Sequence, residues 1–284
     1  MAVAKADSLK AGADDPVYEV SGEHLVMRVA PDQAVLATRE LANEVPVALE
    51  FNGEPYAVMM LTPSDLEDFA VGFALSERII VRANEIARID VREGTRGIGV
   101  DVRLEKDHSA RLAERRRSLP GQSGCGICGL TSIEEALPEL AKVSAPPHVS
   151  PAALFAALQA LPEHQTLNKE TGAVHAASFC KANGEIMAVR EDVGRHNAFD
   201  KITGYLARTG IDPSGGFALL TSRCSYELVQ KAVLARIPML VTISAPTELA
   251  VSIAKATDLT LVALARGDSV LVFNDPFFVF PKVM

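Results

Sequence analysis

The residues of this sequence best suited to covalent chemistry are Cys125 and Cys128, set in the run Gly124-Cys-Gly-Ile-Cys-Gly129. The three glycines leave the backbone free and the sulfurs unshielded, as suits a thiol that must reach into another protein's site. Chemistry by sulfur needs the thiolate. A helix expected just downstream would point its N-terminus at Cys128. Arg111, Arg115, Arg116 and Arg117, the densest basic cluster in the chain, lie a flexible reach upstream. Both features would lower a thiol pKa.

Four readings compete for the pair. Thioredoxin-like exchange is generic for a cytosolic C-x-x-C, but that pair normally follows a core strand, and here the preceding segment is charged and irregular. Structural zinc needs four ligands, and the sequence has no second C-x-x-C and no H-x-x-x-H. Cys180 and Cys224 sit in strand and strand-end contexts. Two incidental surface cysteines fit poorly with glycine-framed C-x-x-C spacing. Carriage of sulfur as a persulfide fits an exposed, reduced, glycine-framed loop best.

The elements that must position this loop read as two units. Of the 284 residues, 48% are hydrophobic and 23% charged, ordinary globular composition. Residues 1–15 read as a disordered tail without the apolar block of a secretory signal. No apolar run reaches the roughly 18 residues of a membrane span. The expectation is a cytoplasmic protein with reduced thiols and no membrane partner. A net charge of −8, with no Trp and four Tyr, argues against a DNA or RNA partner.

Residues 16–110 read as a small α+β domain. Val47–Phe51, Asn52-Gly53 and Tyr56–Leu61 form a hairpin pattern. Ser64 and Glu67 have capping-box spacing before a helix with Leu66, Phe69, Ala70, Phe73 and Ile80 on one face. Ile86–Leu104 alternates as an antiparallel pair. Residues 111–130 read as a basic connector and the cysteine loop, and a short helix is expected from Thr131 or Ser132, ended or kinked by Pro138.

Residues 131–284 read as α/β. A helix over Pro151–Leu161 is followed by the strand Phe217–Thr221, the helix Ser225–Arg236 and the strand Met239–Ile243. The helix Thr247–Ala256 and the strand Thr260–Ala265 come next, with Val270–Phe273 pairing beside it. Such alternation implies a mostly parallel sheet. Ligands then sit beyond the carboxyl ends of the strands, at residues 221–224, 244–247 and 266–268.

Five runs together resemble the FdhD family of sulfurtransferases required for formate dehydrogenase activity. They are Gly124–Gly129, Thr171-Gly-Ala-Val-His-Ala-Ala177, Arg190-Glu-Asp-Val-Gly-Arg-His-Asn-Ala-Phe-Asp-Lys201, Thr221-Ser-Arg-Cys-Ser-Tyr-Glu-Leu-Val-Gln-Lys231 and Ser244-Ala-Pro-Thr-Glu-Leu-Ala250. The resemblance implies that a cysteine desulfurase loads sulfur onto the loop, with Cys125 as persulfide carrier and Cys128 beside it. The sulfur then passes to a bis-molybdopterin guanine dinucleotide cofactor, a bound substrate, destined for formate dehydrogenase. The family's cofactor-binding stretch maps to Leu264, Ala265, Arg266, Gly267, Asp268 and Ser269, where Ser269 departs from the Arg of many relatives.

The resemblance also implies a cytidine deaminase-like C-terminal domain. A deaminase needs H-x-E and P-C-x-x-C. His175-Ala176-Ala177 has Ala in place of the Glu, and Ser222-Arg223-Cys224-Ser225 offers one cysteine. Zinc chemistry is therefore not expected, while a guanine-nucleotide pocket lined by Ser222, Arg223 and His175 is. Arg190, Arg195 and His196 suit either anion binding at a helix N-terminus or capping with Glu191 and Asp192 as ion-pair partners. His175 suits the pocket or a satisfied core position. Cys224 reads as a small buried residue and Cys180 as structural. The Arg111–Arg117 run suits a solvated face, an acidic partner or a cofactor phosphate. The apolar stretch Val270–Val283 offers an edge for a homodimer.

Overall fold

The computed structural model describes residues 18–105, 111–112 and 139–281. The expected tail, Arg115, Arg116, Arg117, Cys125, Cys128 and the helix expected before Pro138 lie outside the described residues.

The chain enters through strands β1 (Ser21–Ala30) and β2 (Gln33–Ala42), an antiparallel ribbon closed by Pro31-Asp32. Nothing in the sequence announces it, since both of its faces mix apolar and polar residues. Strands β3 (Val45–Phe51) and β4 (Glu54–Leu61) follow. Their turn is as expected: Asn52 and Gly53 have φ of 54° and 80°, the positive values a primed hairpin turn requires. Helix α1 (Leu66–Ser76), β5 (Ile86–Gly94) and β6 (Gly97–Leu104) complete a sheet of order β4-β3-β6-β5. Alternation along β3 buries Val45, Val47, Leu49 and Phe51 against Phe69 and Phe73 of α1.

Helix α1 differs from expectation at both ends. Asp65, at φ 52°, precedes it without a side-chain cap. The Ser64 amide bonds Thr62 O at 2.8 Å, and Glu67 pairs with Arg208, so no capping box forms. Ile80 is buried but lies past the helix end.

The remaining elements are α2 (Pro151–His164), α3 (Thr166–Thr171), β7 (His175–Lys181), β8 (Ile186–Asp192), α4 (Arg195–Thr209), β9 (Gly216–Leu220), α5 (Tyr226–Leu234), β10 (Met239–Thr242), α6 (Glu248–Ala256), β11 (Thr260–Ala263) and β12 (Leu271–Asn274). Ser150 starts α2 by accepting from Ala153 N at 3.1 Å, and Thr247 starts α6 by accepting from Ala250 N at 3.2 Å. These are the N-caps that serine and threonine favour. Helix α2 runs through Pro162 to His164, beyond the expected stop at Leu161.

The second sheet has the order β12-β11-β10-β9-β7-β8. It is mixed, not mostly parallel. Among its pairings, β9-β10 and β10-β11 are parallel, while β7-β8, β7-β9 and β11-β12 are antiparallel. The physical reason is connection length. The short links 182–185 and 264–270 cannot make a parallel crossover, so β7-β8 and β11-β12 are antiparallel, while α4 carries the chain from β8 past β7 to β9, which runs parallel to β8 and therefore antiparallel to β7. Helices α4, α5 and α6 bury Phe199, Ile202, Leu228, Val229 and Ala250 on one face. Helix α2 buries Leu154, Ala157 and Leu161 on the other.

The two sheets meet where α1 crosses α4, and glycine makes the crossing possible. A Cβ on Gly72 would stand 1.8 Å from Asp200 O, and one on Gly204 would stand 1.8 Å from Asp68 O. Charges surround this contact. Asp200 accepts from Ser76 Oγ and Lys231 Nζ, both at 2.7 Å, and Asp68 accepts from Arg190 and Arg208.

Candidate functional site

The carboxyl edge of the parallel strands gathers most of the expected pocket residues that are described. Parallel pairing persists past the strand ends: Cys224 N donates to Ala245 O at 3.2 Å and Thr247 N to Cys224 O at 2.9 Å. The loops after β9 and β10 are therefore tied together. Because β7 runs antiparallel to β9, its first residue, His175, comes to the same edge. Ala176 N donates to Thr221 Oγ1 at 2.9 Å and fixes that junction. Strand β8 ends opposite, pairing Asp192 with His175, so the N-terminus of α4, with Arg195 and His196, arrives beside them.

His175 is half-buried at this edge. Its pKa is lowered from the usual histidine value, chiefly by burial, then by the positive charges of Arg195 and Arg223; Asp192 acts in the opposite direction. His175 and the two guanidinium groups therefore share one neighbourhood, which disfavours the charged form of the imidazole. The Arg195 Nε is buried and has no hydrogen-bond partner among the described residues, although a buried donor of this kind is normally paired. Arg223 is exposed. Nearby, His196 Nε2 lies 3.4 Å from Ser225 Oγ.

The other expected residues divide clearly. Ser222 is buried and its hydroxyl donates to Arg223 O at 3.0 Å, within its own loop. Leu264, at φ 50°, and buried Ala265 continue the β11 edge through bonds to Ser244 O and Thr242 O. Residues 266–269 form an exposed turn closed by Arg266 N to Ser269 O at 2.8 Å, and Ser269 Oγ lies 3.2 Å from Asp268 Oδ1. Gly267 faces open space. The Arg266 guanidinium donates to Ile243 O and Ala265 O, which aligns it along the edge. This turn and His175 are three strand spacings apart, about 14 Å.

Arg190 is not at the edge. It lies over the Tyr205 ring at 4.5 Å and bonds Asp68 at 2.7 Å. The acids beside it also take other partners. Glu191 caps α3, accepting from Leu167 N at 2.8 Å and Asn168 N at 2.9 Å. Asp192 pairs with Lys201 at 2.7 Å, both fully buried. Asp192 also accepts from Thr62 N, Gly194 N and Asn197 Nδ2. Nothing in the sequence singles out Lys201, because a lysine at that point of a helix is normally exposed. Arg111 pairs loosely with Glu85 at 3.6 Å.

Cys180 and Cys224 are buried, and burial pushes each thiol up to about 12. Both are structural, as their sequence contexts indicate. Among the described residues, no three of His, Cys, Asp and Glu come together as a metal-ligand set. No described helix is long and apolar enough to cross a membrane.

Comparison with known proteins fits this arrangement. The "Sulfur carrier protein FdhD" of Variovorax paradoxus (strain S110) is 44% identical over 266 residues, covering 93% of this chain and 96% of the relative. The protein of the same name from Xanthomonas euvesicatoria pv. vesicatoria is 48% identical over 236 residues, covering 83% of this chain and 84% of the relative. A crystal structure of a candidate formate dehydrogenase accessory protein from Desulfotalea psychrophila superposes with a TM-score of 0.75 at 25% identity, covering 91% of this chain and 98% of that one. The model of the FdhD/NarQ family matches residues 42–279. With that match, and with relatives 44% and 48% identical over most of its length, this chain belongs to the FdhD/NarQ family.

Proposed function

We propose that this protein is a sulfur carrier acting as a sulfurtransferase for formate dehydrogenase. Cys125 accepts sulfane sulfur from a cysteine desulfurase and passes it to a bis-molybdopterin guanine dinucleotide cofactor held, as substrate, along the carboxyl edge of the sheet. In the loading step the Cys125 thiolate attacks the terminal sulfur of the desulfurase persulfide. The new S–S bond forms at Cys125 as the old one breaks, and the desulfurase leaves as its thiolate. No net oxidation occurs.

The observation that carries the cofactor half of this reading is the cationic strip. On a chain of net charge −8, one edge concentrates His175, Arg195 and Arg223, with Arg266 at its far end. The Arg195 Nε, buried and without an acceptor among the described residues, can donate to a phosphate oxygen. Guanidinium groups suit phosphate oxygens by charge and by planar geometry, and the roughly 14 Å along the edge suits an extended nucleotide more than a single small anion. The residues present therefore fit a dinucleotide-bearing substrate. In this reading Ser222 and Leu264 to Ser269 form the walls, and Cys128 assists Cys125.

We further read the C-terminal unit as cytidine deaminase-like, on the basis of its antiparallel β7-β8 hairpin followed by parallel β9, β10 and β11 with helical crossovers. Deaminase chemistry does not follow. Ala177 replaces the acid of H-x-E, and among the described residues the edge holds Cys224 with no second cysteine beside it for zinc. The partners are then a desulfurase as donor and formate dehydrogenase as acceptor of the cofactor, in the cytoplasm.

The deciding experiment is intact mass spectrometry of the full chain after incubation with a cysteine desulfurase and cysteine, with peptide mapping. Added sulfur on Cys125, absent from Cys125→Ala, is expected. Full sulfur loading of that variant would reject Cys125 as carrier. Formate dehydrogenase activity surviving loss of both loop cysteines would instead reduce the protein to a cofactor-holding chaperone.

A further inference from the structure

Glu227 stands apart from the other acids near the cationic edge. Its Oε2 is buried and has no hydrogen-bond partner among the described residues. Asp68, Asp192 and Asp200 each hold a cation at 2.7 Å, from Arg190, Lys201 and Lys231 respectively. A buried carboxylate oxygen is normally supplied with a donor, and one left without is costly. Glu227 lies in the first turn of α5, where a helix N-terminus favours an acid. That accounts for the charge but leaves the buried Oε2 without a donor.

The fold directs this carboxylate toward the edge. Side chains on a helix lean toward its N-terminus, and α5 starts from the loop after β9, so Glu227 leans back toward Arg223 and Cys224. Its charge is felt there: the Cys224 thiol is raised first by burial and then by Glu227. Helix α4 starts from the same edge. Asp200 of α4 meets Lys231 of α5, and four residues closer to the edge on each helix stand His196 and Glu227. The 3.4 Å approach of His196 Nε2 to Ser225 Oγ shows that the two first turns meet. Glu227 thus sets an unused acceptor at the edge that carries His175, Arg195 and Arg223.

We propose that Glu227 reads the guanine base of the nucleotide taken up along this edge and is the specificity-determining residue for it. The inference rests on the reading of the edge as the site of a nucleotide-bearing substrate. An ionised carboxylate only accepts, through two oxygens. Guanine presents N1–H and the N2 amine side by side on its Watson–Crick edge, and a carboxylate can accept from both at once. Adenine turns the lone pair of N1 toward the same place. Hypoxanthine keeps N1–H but lacks the amine, and xanthine carries an oxygen at position 2. The carboxylate therefore selects guanine, while the guanidinium groups take the phosphates.

Calorimetric titration of the full chain with GDP, IDP, XDP and ADP tests this. Wild type is expected to bind GDP about tenfold or more tighter than each of the other three, because a site built to pair a polar group rejects analogues that lack it. In Glu227→Gln, GDP is expected to weaken about tenfold or more. XDP is expected to tighten, since the new amide can donate to the oxygen at position 2, and ADP is not expected to weaken. Removing an acid beside phosphates favours every nucleotide by charge alone, so a loss confined to GDP identifies a contact with the base. Equal wild-type affinity for GDP and IDP overturns the role of Glu227 while leaving the edge a nucleotide site. So does a GDP-to-XDP ratio that is unmoved in folded Glu227→Gln. A wild type that binds none of the four overturns the nucleotide reading of the edge as well. The wild-type ranking needs no substitution, so it decides even if Glu227→Gln does not fold.

Discussion

Replacing Lys201 with Met removes the positive half of an ion pair whose side chains are both fully buried. Breaking a buried pair from one side costs about 3–5 kcal/mol, because the remaining charge has lost its partner. The structure places the cost near the lower end. Asp192 would keep three donors: Thr62 N at 3.1 Å, Gly194 N at 2.8 Å and Asn197 Nδ2 at 3.0 Å. Thr62 O and Glu191 O would lose the Lys201 ammonium that now reaches them at 3.0 and 3.3 Å. A destabilisation of about 3 kcal/mol follows, or roughly 6–12 °C in Tm for a chain of this size. The pairing argument makes a second demand. Adding Asp192→Asn to Lys201→Met removes the stranded charge, so the double variant should be more stable than Lys201→Met alone. Differential scanning fluorimetry, checked by urea unfolding, measures both. A Tm loss under about 2 °C for Lys201→Met, or a double variant less stable than the single, would refute the reasoning.

Gly72→Ala should cost about 3 kcal/mol or more, since its Cβ would meet the Asp200 carbonyl at 1.8 Å; an unchanged urea midpoint would show that the crossing yields. Arg195→Gln should weaken binding of a guanine nucleotide about tenfold or more while leaving Tm unchanged, read by calorimetry; equal affinity would remove Arg195 from the strip. Binding of a phosphate-bearing ligand should take up a proton at His175, because the anion offsets the cations that depress it. Affinity should therefore rise as pH falls through the region just below the ordinary histidine value. Binding heats that do not change with buffer ionisation enthalpy would contradict this. In the ligand-free protein the same depressed pKa has the opposite sign for folding: the unfolded chain binds the proton more tightly, so acidification costs stability. Brief alkylation at pH 8 should spare Cys180 and Cys224, whose thiols stand at about 12; early label on Cys224 would show that the loop opens.

The sequence made local features readable and long-range ones obscure. Asn52-Gly53 specifies its turn by conformation alone, and the caps at Ser150 and Thr247 act within three residues. The helices and strands from 217 to 274 follow from period and punctuation. Strand direction did not, because it depends on how many residues connect two strands and not on the strands themselves. The β1–β2 ribbon went unseen for another reason: neither face is buried in the single chain, so no clean alternation marks it. At the site, Arg195 and His175 are 20 positions apart and become neighbours only because β7 and β8 run antiparallel. Their types were legible, but the electrostatic coupling between them was not. Lys201 reads as a surface lysine until Thr62, 139 positions earlier, closes over it.

That closure links the units mechanically as well as energetically. The turn that launches α4 is held by Asp192 through Gly194 N and Asn197 Nδ2, and Asp192 is held by Thr62 of the first unit and by Lys201. Asn197 also reaches back to Met60 O at 3.0 Å. The first unit thus sets the position of the helix end that carries Arg195 and His196. Rotation of that unit against the sheet would have to break the Asp192 network or slide Gly72 off Asp200, and both contacts are too close to stretch. An excised C-terminal sheet would therefore keep its core but lose the geometry of the cationic edge, because the groups that fix that geometry belong to the other half of the chain.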